Sequence, residues 1–113
     1  MNVEGTPDQP PRLGVRFASA VNREELPDVE DADRFIQFSE DLLAKTTQDS
    51  VDQATRLHYL GVAYGERYDR MRTIADLARA IELFEESLGL TPLHHGKRAS
   101  RLEIWQLLIT TDA

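Results

Sequence analysis

Residues 31–57, "DADRFIQFSEDLLAKTTQDSVDQATRL", lie over residues 76–102, "DLARAIELFEESLGLTPLHHGKRASRL", at an offset of 45 without a gap. Nine of the 27 positions are identical: Asp31/Asp76, Arg34/Arg79, Ile36/Ile81, Glu40/Glu85, Leu43/Leu88, Thr46/Thr91, Ala54/Ala99, Arg56/Arg101 and Leu57/Leu102. Two further pairs exchange size, with Phe35 opposite Ala80 and Ser39 opposite Phe84. That is the pattern of repacking at constant volume. A unit repeated at this length cannot bury its apolar face alone, so neighbouring copies have to stack.

The periodicity inside each copy is helical. Leu77, Ala80, Ile81, Phe84 and Leu88 recur at three- and four-residue spacing, and Leu83 and Leu90 form a second stripe. A helix apolar on two sides packs between two neighbours. Glu82, Glu85 and Glu86 occupy the remaining arc. Thr73 with Asp76, and Asp28 with Asp31, read as N-terminal boxes, and Ser50 with Gln53 caps the helix between them. Pro92 and Gly96 stop the second copy. Helices are expected near 29–46, 51–69, 74–90 and 97–110, with no strand-like alternation of any length. The expected fold class is all-α.

Two patterns resemble a known family. "LGVAY" (60–64) supplies Leu60, Gly61 and Tyr64, and "ARAIELFEESLGLTP" supplies Ala80, Phe84, Ser87 and Pro92. This looks like the tetratricopeptide repeat, in which Gly61 and Ala80 would let two helices approach closely while aromatic rings fill the gap. The common period of that repeat is about 34 residues, so both connections here would be longer by roughly seven and four residues. The longer unit resembles a subgroup found in fungi and actinobacteria beside CHAT-type or nucleotide-binding signalling domains. The resemblance covers 28–110 and implies an antiparallel helix-hairpin solenoid of about two repeats with a C-terminal capping helix. The units are expected at about 12–50 and 51–95, with a terminal helix over 97–111. "LGVRF" (13–17) echoes "LGVAY", so 12–21 is read as a partial first helix. Residues 1–11, with Pro7, Pro10 and Pro11, are expected to form a disordered tail ahead of a domain over 12–113.

The resemblance also implies a concave groove lined by the first helices. Its positions here include Thr55, His58, Val62 and Glu66, then Ser100, Glu103, Leu107 and Thr110. No Lys or Asn stands among them, so the carboxylate clamp some relatives use for peptide termini is not expected. The terminal segment "RLEIWQLLITTDA" is the most apolar helix and would lack a second helix to cover it. Trp105 can pack back on the preceding helix; Leu108 and Ile109 are harder to place. Three accounts stay open: a true cap, an interface with another chain (a homodimer through this helix included), or a fragment of a longer array.

Little in the sequence speaks for catalysis. His94 and His95 are adjacent, so they rarely point the same way, and they read as loop structure rather than metal ligands. Glu40/Asp41, Glu82/Glu85 and Glu85/Glu86 fall on charged helix arcs, where neither carboxylate is desolvated for acid–base work. No serine sits in a Gly-x-Ser-x-Gly elbow, and Gly61 and Gly65 are not followed by Gly-Lys-Ser/Thr. An enzyme using His58 with Tyr64 or Glu66 is the remaining catalytic alternative. Lys97, Arg98 and Arg101 open the last helix and are expected to form inter-helix ion pairs with Glu66, Asp69 or Asp76. Residues 1–52 carry 12 acids and 5 bases, and 53–113 carry 8 of each, a poor match to nucleic acid or an anionic membrane. The absence of cysteine excludes a disulfide framework and fits a reducing compartment, hence an expected cytoplasmic location. No cofactor or metal is expected, and the expected partner is a protein or peptide. Regulation within a larger signalling protein, or self-association, is the alternative.

Overall fold

The computed structural model describes residues 13, 17–19, 21, 31–46 and 51–112, with side chains omitted at 51, 111 and 112. Four helices are described: α1 (Ala32–Ala44), α2 (Val51–Met71), α3 (Ile74–Leu90) and α4 (Arg98–Asp112). Residues 17–19 and 21 are helical as well, and no strand occurs among the described residues. Consecutive helices pack on one another. No helix among these residues is long and apolar enough to cross a membrane. The expected tail over 1–11, the Ser50 cap, the Asp28 box and most of 12–21 lie outside the described residues.

α1 buries Ala32, Phe35, Ile36 and Ser39, one face at three- and four-residue spacing. Asp31 caps it by accepting from the Asp33 amide at 3.0 Å. The helix therefore starts three residues later than the 45-residue offset suggests. At the other end the two copies agree in detail. Thr46 Oγ1 donates to the Leu42 carbonyl at 2.7 Å, and Thr91 Oγ1 to the Ser87 carbonyl at 2.6 Å. The buried faces also coincide, with Phe35 matching Ala80 and Ser39 matching Phe84.

α2 is covered on most of its circumference. Ala54, Leu57, Leu60, Val62, Ala63 and Tyr68 are all buried. Its close approach to α3 depends on Gly61, where a Cβ would stand 3.2 Å from Cε1, Cε2 and Cζ of Phe84. One turn later, a Cβ at Gly65 would come within 2.8 Å of Phe17 Cζ. Leu13, Phe17 and Val21 are buried, and the Leu13 amide donates to Asp69 Oδ1 at 2.7 Å. Leu13 and Phe17, the two ends of "LGVRF", thus lie against α2 at Asp69 and Gly65. Ser87 adds a cross-link, its hydroxyl donating to the Ala54 carbonyl at 2.7 Å.

The turn into α3 differs from the expected capping box. Thr73 is the N-cap residue but its hydroxyl makes no capping bond. Asp76 instead accepts from Arg67 Nε at 3.0 Å and Nη2 at 2.9 Å, and Arg67 also donates to Asp33 Oδ1 at 3.1 Å. One guanidinium therefore ties α1, α2 and α3 together. In the basic group opening α4, where ion pairs with Glu66, Asp69 or Asp76 are expected, two guanidiniums hold carbonyl and hydroxyl oxygens. Arg98 donates to the Leu88 and Thr91 carbonyls at 2.9 and 2.7 Å, closing the electronegative C-terminus of α3. Arg101, 1% exposed, donates to Thr91 Oγ1 at 3.1 Å and to Thr55 Oγ1 at 3.2 Å.

Candidate functional site

The eight expected groove positions do not share one environment. On α2, Thr55 is half-buried and holds Arg101, while Glu66 is exposed. Protein around the Glu66 carboxylate raises its pKa by desolvation, with Arg70 opposing. Between them, His58 and Val62 are fully covered at 0% exposure, which corrects their assignment as groove contacts. The cause is the core itself: the His58 ring meets Phe84 edge-on, with centroids 5.2 Å apart. Burial first, then the charges of Arg101 and Lys97, lower the His58 pKa to about 3, so the imidazole is neutral. The supposed catalytic partner Tyr64 directs its hydroxyl to Glu40 Oε2 at 3.4 Å and carries Arg67 over its ring at 5.4 Å.

α4 places its expected residues differently. Ile104 and Leu108 are fully buried in the common core, which corrects Leu108 as an interface residue. Each such side chain contributes about 1.5–3 kcal/mol by leaving water. Trp105 is half-buried against the same core, and its indole N–H donates to Glu85 Oε2 at 3.3 Å. It packs back toward α3 as expected. Ile109 is half-buried on the flank of the helix.

The face left over is continuous. Glu103 and Leu107, expected in the groove, and Ile109, expected at an interface, line one shallow depression of about 410 Å³ together with Gln106 and Thr110. Leu102, 37% exposed, lies on the same side of the helix. Thr110 turns its hydroxyl back to the Gln106 and Leu107 carbonyls at 3.0 and 2.9 Å. Gln106 is expected from the sequence on the outer face of the terminal helix but Leu102 is not singled out, although a signal existed. Leu102 and Gln106 stand 45 residues after Leu57 and Gly61, both buried.

Among the described residues, no group of three or more His, Asp or Glu side chains could hold a metal ion. In the loop before α4, His95 Nδ1 accepts from the Lys97 amide at 3.1 Å, while His94 is exposed. Glu40, Asp41, Glu82, Glu85 and Glu86 all face solvent. No family model, characterised protein or solved structure matches the chain.

Proposed function

We propose that this chain is a non-catalytic helical repeat module, tetratricopeptide-like in arrangement, that binds a protein or peptide through the outer face of α4. The observation carrying this reading is the repeat itself. Ala54, Leu57 and Gly61 of α2 are buried, with Phe84 and Ser87 of α3 against Gly61 and Ala54, whereas Ala99, Leu102 and Gln106, 45 residues on, face solvent. A face of the type that α3 covers in one copy is open in the next, and stacked repeats use such faces for contact. Its chemistry is mixed, with Leu102, Leu107 and Ile109 beside Glu103, Gln106 and Thr110, as in the rim and core of a protein interface. The exposed carboxylates support the non-catalytic part, because acid–base work needs a desolvated partner.

Self-association through the same face is the second reading, favoured by Leu102, Leu107 and Ile109 on it. The variant Leu102→Glu/Leu107→Glu tests both. Light scattering across concentrations should show a mass that rises in the wild type and stays monomeric in the variant, if the chain pairs with itself. A partner protein should be retained by the wild type and lost by the variant. A monomer at every concentration, with the same proteins retained by both forms, would overturn the assignment of this face.

A further inference from the structure

His58 stands where three helices meet. It is fully buried on α2. Phe84 of α3 meets its ring at 5.2 Å, and the Tyr59 ring on its own helix lies 6.5 Å away. From α4, the fully buried Arg101 reaches Thr55 Oγ1 at 3.2 Å, one helical turn before His58 and on the same face. The charges of Arg101 and Lys97, both cationic, act on the imidazole. A proton on the ring would set a second buried cation against a buried guanidinium, in surroundings that screen poorly.

We propose that His58 makes the docking of α4 acid-labile: one proton taken up at the α2–α3–α4 junction releases α4 while the α1–α2–α3 core stays folded. The geometry selects α4 as the part that leaves. Arg101 belongs to it, so its departure separates the two cations and opens the imidazole to water. α4 holds on by one face, through Arg101, Ile104, Trp105 and Leu108, whereas α2 is covered on most sides. The device does not depend on what the outer face of α4 binds.

The direction follows from linkage. Burial and the two cations lower the imidazole pKa from 6.5 to about 3 in the docked form, so the released form binds the proton more tightly. Docking is therefore at full strength above about pH 6.5 and weakens as the pH falls toward 3. With those two values, the ratio of released to docked α4 rises up to about 200-fold between pH 7 and pH 4.

Trp105 is the sole tryptophan and sits on α4, so its emission reports docking. The test is an acid titration of the whole chain, followed by Trp105 emission and by hydrogen exchange of α4 against α2 and α3. His58→Leu and His58→Gln serve as two non-titrating variants. In the wild type, α4 should lose protection on acidification by up to about 200-fold more than in either variant. Its emission should shift to the red while α2 and α3 remain protected. Identical pH profiles in wild type and variants, or loss of α2 and α3 protection together with α4, would overturn the proposal. Should neither variant fold, the wild type alone decides: a His58 pKa at or above 6.5 in the docked state, by imidazole NMR, overturns it, and one well below supports it.

Discussion

Replacing Gly61 by alanine adds one methyl group, and two opposed effects set the outcome. In a helix interior the change favours folding by about 0.8–1 kcal/mol. Against this, the new Cβ would sit 3.2 Å from three ring atoms of Phe84. That is inside the carbon–carbon optimum of roughly 3.5–4.0 Å. Phe84 is fully buried and abuts His58, so the ring cannot retreat without disturbing the α2–α4 junction. Overpacking of this kind costs about 1–3 kcal/mol, and Gly61→Ala should be net destabilising by about 1 kcal/mol. Gly89→Ala is the control. Its Cβ would meet nothing within 4 Å, so only the helix-propensity gain of about 0.5–1 kcal/mol remains. A cycle with Phe84→Leu isolates the contact. Without the ring, Gly61→Ala should become stabilising, giving a coupling of about 1–3 kcal/mol. Urea unfolding followed by circular dichroism measures all four corners. If Gly61→Ala and Gly89→Ala shift stability in the same direction, or the coupling is below about 0.3 kcal/mol, the close-approach account of Gly61 is refuted.

Asp76→Asn should cost about 1–3 kcal/mol in the same assay, since a carboxylate 8% exposed receives two hydrogen bonds from Arg67, a third of whose side chain is in water. Asp33→Asn removes the 74%-exposed partner of the same guanidinium and should cost under about 0.5 kcal/mol; equal losses from the two would reject Asp76 as the anchor. Arg72 ends α2 at φ 57°, a left-handed conformation that strains a residue with a Cβ by about 1–2 kcal/mol. Arg72→Gly should therefore raise the thermal midpoint, and a lower midpoint would mean that the Arg72 side chain contributes more than the strain costs.

Much of this molecule is legible along the chain. Apolar spacing set α2, α3 and α4 to within one or two residues at every end. The small residue Gly61 and the ring of Phe84 announced their contact, because both the helix period and the need for close approach are written in local residue types. The 45-residue offset even carried over to the matching Thr46 and Thr91 back-bonds. α1 was less legible at its start, where Asp31 competes with Asp28 as a cap and the first amide it satisfies settles the boundary.

The rest depended on where distant segments come to lie. Local spacing says which side of α2 carries His58 and Val62. It does not say that this side is covered, because burial is a property of neighbours in space and not of the helix that owns the residue. The acceptors for Arg98 and Arg101 were hidden for the same reason. They are carbonyls and hydroxyls, which every helix end or threonine offers, so no charge pattern pointed to them. Periodicity alone could place the stripes of α4. Only the packing of Ile104 and Leu108 against the core divided that helix into a buried side and the open face of Leu102, Gln106 and Leu107.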